Sequence, residues 1–316
     1  MARFEDITAA YIAEKRAVGF KMEKAEKAMR RIAALHAEMG CASDGLPREL
    51  VEAWVAKKPG ETEATRFGRM GYIRGLGEYM ARMGYDAYVL PGRQGYRERA
   101  AYTPYIFTDA ELGALFAAAD RLAGDEPACQ RAQMALILRL LYSSGWRAGE
   151  ACGLRKEDVD LGAGVLTVRH AKNDKDRTVP MHPAMTERMR VFSHAAQLGH
   201  PQYADHRLFW SLPEGRPIGT RSVYGFFRDA LWKAGISHGG RGKGPRVHDL
   251  RFTFACHRLR SWVSEGADVN ALMPVLAAYM GHADTRCTEY YLRLPAELYP
   301  GMVEQVEREC GWVVPS

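Results

Sequence analysis

Apolar residues recur three and four positions apart through the first ninety or so residues, so helices are predicted throughout 1–88. Phe4, Ile7, Ala10 and Tyr11 form one stripe, and Ala28, Ile32, Leu35 and Met39 form another. Gly40 stops the second helix, and Ser43-Asp44-Gly45-Leu46-Pro47 reads as a turn that opens a third. A further helix is predicted over about 62–83, carrying Arg66, Arg69, Arg74 and Arg82. Those arginines suit either a solvated face or contacts to phosphates. Residues 89–106 have the Pro, Gly and charge content of a linker. Arg93, Arg97 and Arg99 give it a basic character that fits a DNA backbone or a plain solvated connector. Phe107-Thr108-Asp109-Ala110-Glu111 then contains a capping box, in which Thr108 and Glu111 each satisfy the other's backbone N–H. The expected organisation is a helical domain at 1–88, a basic linker at 89–106 and a second domain at 107–316.

In the second domain, 129–143 is a largely apolar helix. Gly164–His170 alternates as a strand, Ala171–Asp176 is a polar turn, and Arg177–Met181 is a second strand, so a hairpin is predicted. Helices follow at about 183–198, 219–235, 247–265, 270–279, 285–292 and 296–309. There is no internal repeat or low-complexity tract. The predicted fold class is mainly α with one small antiparallel β-sheet, a helical module ahead of an α+β domain.

Composition narrows the function only slightly. The net charge of +6 favours a polyanionic partner mildly. Cys41, Cys129, Cys152, Cys256, Cys287 and Cys310 are scattered, with no C-x-x-C pair, so neither a zinc site nor a disulfide scaffold is expected. Reduced, mostly buried thiols in a cytosolic protein are the expectation. The amino terminus mixes acids with short apolar stretches, unlike a signal peptide. No apolar run approaches the ~20 residues that span a bilayer. A soluble cytoplasmic protein is therefore predicted.

Chemistry enters with four segments. Metal-free cleavage of a phosphodiester needs fixed Arg and His donors on the phosphate, an in-line oxygen nucleophile and a proton for the leaving oxygen. In Leu140–Leu154 an apolar helix runs into Gly145, and Arg147 follows at the start of another helix. A cation is unfavourable there unless an anion is near, because the helix N-terminus is already positive. The hairpin turn carries Lys172. Val247–Ala255 reads Val-His-Asp-Leu-Arg-Phe-Thr-Phe-Ala, and His248 and Arg251 share one helical face. Met280-Gly281-His282 precedes the pair Tyr290-Tyr291. On a helix these neighbouring tyrosines point about 100° apart, so only one can face a phosphate. Ahead of His248, Gly239–Arg246 reads as a flexible loop containing Arg241 and Lys243, near phosphates or simply at the surface.

Together these segments resemble the active-site motifs of the tyrosine recombinase (phage integrase) family, in the family's order across 140–292. The likeness covers the second domain; the first matches only as a helical DNA-clamping, core-binding module. Phe252 departs from the pattern, standing where many members carry a second histidine. The resemblance implies that Tyr291, counted from His282, is the nucleophile that forms a 3′-phosphotyrosyl link. It implies that Arg147 and Arg251 neutralise the phosphate oxygens and that Lys172 protonates the leaving 5′-oxygen. His248 would assist proton transfer, and His282 would donate to the phosphate. It further implies double-stranded DNA as partner, a homotetramer in the synapse, and neither metal, ATP nor other cofactor. A C-terminal helix at 296–309 would dock on a neighbouring protomer or pack on its own core. Rival readings are a type IB topoisomerase, which would relax supercoils without site preference, and a non-catalytic DNA-binding relative, which would need no Tyr291. A metal-dependent transposase lacks a clear carboxylate triad here.

Overall fold

The computed structural model describes residues 3–41, 44–92, 103–169, 176–203, 207–212, 214–240 and 244–281. Contacts between Cα atoms divide the chain into two units, Met1–Tyr102 and Thr103–Ser316. The helices predicted near 285–292 and 296–309, linker residues 93–102 and turn residues 171–175 lie outside the described residues.

The first unit contains α1 (Phe4–Ala17), α2 (Glu23–Glu38), α3 (Arg48–Val55) and α4 (Glu63–Arg82). Its core is the predicted stripes with small shifts. Phe4, Ile7 and Tyr11 are buried, but Ala10 faces solvent and Thr8 is buried instead, its hydroxyl donating to the Glu5 carbonyl at 2.9 Å. Ala28 and Ile32 are buried, whereas Met39 lies past the helix end and is 40% exposed. The Leu46 carbonyl accepts from the Tyr88 N–H at 2.8 Å, fastening the chain after α4 back onto the turn before α3.

The second unit opens with α5 (Asp109–Ala123) and α6 (Gln130–Ser144). The capping box is present: the Glu111 N–H donates to Thr108 Oγ1 at 3.2 Å, and the Thr108 N–H donates to Glu111 Oε2 at 2.9 Å. After α7 (Ala148–Gly153), strands β1 (Val159–Asp160), β2 (Val165–Val168) and β3 (Arg177–Pro180) form an antiparallel sheet in the order β1-β2-β3. Val168 pairs with Arg177 and Leu166 with Val179, so Leu166, Val168 and Val179 enter the core. Next come α8 (Pro183–Gly199), β4 (Trp210–Ser211), β5 (Arg216–Pro217), α9 (Thr220–Lys233), α10 (Asp249–Ser264) and α11 (Val269–Met280).

The pair β4–β5 corrects the expectation of a single sheet. Each strand is two residues long, too short to show an alternating pattern. Helix α6 runs through the main core with Ile137, Leu138 and Leu140 wholly buried. Its buried Gln133 accepts from the Trp210 N–H at 2.8 Å and donates to the Ala128 carbonyl at 3.0 Å. A smaller core joins α10 to α11 through Phe254, Leu259, Met273, Leu276 and Met280. Burial pushes the Cys152 thiol up to about 11 and the Cys256 thiol up to about 12, as expected for inert, packed thiols.

Candidate functional site

The site is built where α6 ends. Gly145 is buried with φ +62, a left-handed conformation that lets the chain turn sharply into Arg147. Arg147 is the N-cap residue of α7. Its backbone N–H donates to Glu150 Oε2 at 3.0 Å and its Nη1 to Glu150 Oε1 at 2.8 Å. The helix start thus carries a paired cation, with the carboxylate one turn inside.

The segment 247–255 explains its own length as a motif. Asp249 Oδ2 accepts from the Arg246 N–H at 2.8 Å, closing the turn into α10. Leu250 and Ala255 are buried, and Phe254 packs on Gly145. Thr253 Oγ1 accepts from the Phe107 N–H at 3.1 Å, joining α10 to the chain just before α5. Arg251 is 1% exposed; its Nη1 donates to the Gly145 carbonyl and its Nη2 to the Met280 carbonyl at 2.8 Å. His248 differs in being exposed. Most of this string therefore builds the scaffold, and His248 is the member it presents.

The C-terminus of α11 completes the cluster. Arg251 takes the Met280 carbonyl, and Arg147 Nη2 donates to the next one, Gly281, at 3.3 Å. These are orphan carbonyls of a helix end, where cations are favourable. Arg177, at the start of β3, reaches the same place: Nη2 to Glu150 Oε2 at 2.7 Å and Nη1 to Glu150 Oε1 at 3.3 Å. One carboxylate thus serves two guanidinium groups, with a third close by.

The electrostatics follow from that count. Burial alone would raise the Glu150 carboxyl, but hydrogen bonds from Arg177 and from the Arg147 N–H, with the Arg177 charge, hold it below the usual carboxylate range. His248 is pushed down to about 4 by desolvation, then by the Arg251 and Arg147 charges, with Glu150 opposing. Because His248 keeps an exposed edge, solvent trims the desolvation share, and the two guanidinium groups sustain the direction. At neutral pH its imidazole is neutral, and the guanidinium charges keep it a weak base unless an anion offsets them. Positive charge in excess of negative, beside a neutral base, suits an anionic group such as a phosphodiester.

Of the catalytic residues expected from sequence, Arg147, His248 and Arg251 come together, while Lys172, His282 and Tyr291 lie outside the described residues, as does Tyr290. Arg93, Arg97, Arg241 and Lys243 do too. The arginines of α4 are engaged locally. Arg66 Nε donates to the Val55 carbonyl at 2.8 Å, and Arg74 donates to the Leu90 and Pro91 carbonyls at 3.1 and 3.0 Å. Arg69 grips Glu61 at 3.0 and 2.7 Å, with both side chains nearly buried, and holds that carboxyl down to about 2.

Sequence reasoning missed Glu150 and Arg177. Glu150 was findable as the acid three residues after an N-cap, but Arg177 reaches it from 27 positions away. Among the described residues no group of three or more His, Cys, Asp or Glu is placed to hold a metal ion. No described helix is long and apolar enough to cross a membrane.

Comparison with known proteins adds an independent line. Residues 106–297 match the family profile described as "Phage integrase family". The integrase/recombinase homologue y4rE of Sinorhizobium fredii is 37% identical over 247 residues, 78% of this chain and 78% of that protein. Its fellow y4rB, from the same organism, is 30% identical over 313 residues, 98% of each chain. Among solved structures, the Tn1549 transposon integrase in complex with transposon right end DNA overlays with a TM-score of 0.61 at 16% identity. That overlay covers 96% of this chain and 98% of the other, and at such low identity it speaks for a shared fold.

Proposed function

The chain belongs to the phage integrase family, and from that premise we propose that it is a site-specific DNA recombinase acting through a 3′-phosphotyrosyl intermediate. The phenol oxygen of Tyr291 attacks the scissile phosphorus, and the bond from phosphorus to the 5′-oxygen breaks. The phenol proton passes to a base, the role given to His248; its imidazole is neutral at pH 7, and the negative charge of the bound phosphate offsets the two guanidinium charges that otherwise make it a weak base. Lys172 gives a proton to the departing 5′-oxygen. Arg147 and His282 hold the non-bridging oxygens, and Arg251 joins them once a local opening uncovers it. Rejoining reverses these steps with a different 5′-hydroxyl. The phosphotyrosyl bond conserves the energy of the broken linkage, so rejoining requires no ATP, and in this account the Arg, His and Lys side chains take the part a metal ion would play in neutralising the phosphate.

What supports the reading most is one observation. Arg147 lies far before Arg251 in the sequence, yet the two meet at the carbonyls of Gly281 and Met280, the residues just before His282, and His248 feels both guanidinium charges. Double-stranded DNA is the partner in this account, in the cytoplasm, with four protomers in the synapse. Arg66, Arg74, Arg93, Arg97, Arg241 and Lys243 supply further phosphate contacts, whereas Arg69 reaches a phosphate only by giving up Glu61. DNA flanking the gene supplies the substrate for the test, as a nicked duplex that lets the cleaved strand diffuse away. Wild type should form an SDS-stable adduct, unaffected by EDTA, and Tyr291→Phe should form none. An adduct that persists in Tyr291→Phe and disappears in Tyr290→Phe would overturn the assignment of the nucleophile. Strong inhibition by EDTA would overturn the metal-free mechanism.

A further inference from the structure

Arg177 has no role in the chemistry above, yet the site closes around it. Its side chain is 11% exposed, and both terminal nitrogens go to Glu150. Its guanidinium carbon stands 5.9 Å from the centre of the Trp146 ring, a cation–π contact. Gly281 also lies against it. A Cβ on Gly281 would stand 2.5 Å from Nη1, 2.8 Å from Cζ and 3.1 Å from Nε, so only a glycine lets this guanidinium lie there unmoved. Gly281 has φ +69, the left-handed conformation that ends α11. Among the described residues Arg177 Nε is buried without a hydrogen-bond partner, a penalty that an apolar side chain filling the same space would avoid. Packing alone therefore does not account for an arginine here.

Three parts of the site meet at this side chain. Glu150, which it holds, is the carboxylate that also orients Arg147. Gly281, which it covers, directly precedes His282 and lies ten positions before Tyr291. Its own backbone pairs with Val168 at the base of the hairpin whose turn contains Lys172. We propose that Arg177 is a positioning residue for strand cleavage, setting Arg147 through Glu150 and fixing, at Gly281, the point from which the chain runs toward His282 and Tyr291. The inference rests on the strand-transfer reading and adds to it a residue that touches neither the phosphate nor the nucleophile.

The test uses the full chain on the nicked duplex, measuring the single-turnover rate of adduct formation at saturating DNA, the DNA Kd and the melting temperature. Misplacement of reacting groups by about 1 Å costs on the order of 10²-fold in rate, so Arg177→Gln should cleave about 30- to 100-fold more slowly with Kd within about twofold. Arg177→Lys keeps the charge but loses the two-pronged grip, and should recover part of that rate. Phe209→Leu, a core substitution away from the site, is the control for lost stability and should cleave at nearly the wild-type rate below its melting temperature. Glu150→Gln combined with Arg177→Gln should be no slower than the slower single variant, because both act along one route. Wild-type rates in Arg177→Gln, a loss appearing in Kd instead of rate, an equal loss in Phe209→Leu, or fully additive effects with Glu150→Gln would each overturn the proposal. No adduct from wild type would instead overturn the strand-transfer reading, and this inference with it.

Discussion

Gly145→Ala is the perturbation whose magnitude the structure fixes best. Gly145 carries φ +62, and a side chain held in that region costs about 1–2 kcal/mol. The added Cβ would also stand 2.6 Å from Phe254 Cδ1 and 3.0 Å from Cε1, so the ring must move. That ring is 8% exposed and stacks on Tyr279 at 5.7 Å, which leaves little room to yield. Overpacking a core in this way costs about 1–3 kcal/mol, giving a total of ~2–5 kcal/mol. Because the Gly145 carbonyl accepts from Arg251 Nη1, the same shift should disturb the site and slow cleavage. Amide hydrogen exchange in α6 and α10 reports the stability of this unit separately from the first. Phe254→Ala supplies the decisive comparison: alone it costs about 3–5 kcal/mol, but it removes the ring that the new methyl meets. The double variant should therefore be less damaged than the sum of the singles by about 1–3 kcal/mol. Strict additivity, or a Gly145→Ala loss below about 0.5 kcal/mol, would refute the packing argument.

Other predictions follow from single contacts. Glu150→Gln leaves Arg147 and Arg177 without their shared carboxylate, and should cost about 3–5 kcal/mol of stability, read by the same exchange experiment. His248 has a folded pKa lowered to about 4 against an ordinary 6.5, so the unfolded chain binds its proton first. Stability should fall as pH drops from about 6.5 toward 4, and His248→Asn should remove that part of the slope in pH-dependent denaturation. Arg69→Ala should lower the melting temperature of the first unit, because it removes the guanidinium that grips Glu61, and should return the Glu61 carboxyl toward its ordinary range. Arg66→Ala should leave the unit folded and reduce the salt dependence of DNA binding by about one phosphate contact.

What the sequence revealed depended on the range of the interactions involved. The Thr108–Glu111 box was legible because both partners lie within one helical turn. His248 and Arg251 were legible because they share a helical face. Their companions Thr253 and Phe254 are fixed by contacts to Phe107 and Gly145, more than a hundred positions away. The Glu150–Arg177 pair spans a hairpin, and no local pattern announces it. Nor could spacing alone separate the α4 arginines into solvated and engaged. That outcome depends on where the Val55, Leu90 and Pro91 carbonyls and the Glu61 carboxylate come to rest. The strands β4 and β5 were hidden because two residues cannot show a period.

Strand transfer of this kind requires one phenol to capture the phosphoryl group, and the most direct measurement is to locate that bond. Tryptic cleavage after Arg286 and Arg293 would place Tyr290 and Tyr291 in one peptide, 287–293, whose fragment masses separate them. Mass spectrometry of the trapped adduct should find a 3′-nucleotide phosphate on Tyr291. The same mass on Tyr290, attachment through a 5′-phosphate, or a trapped adduct on a different residue would contradict it.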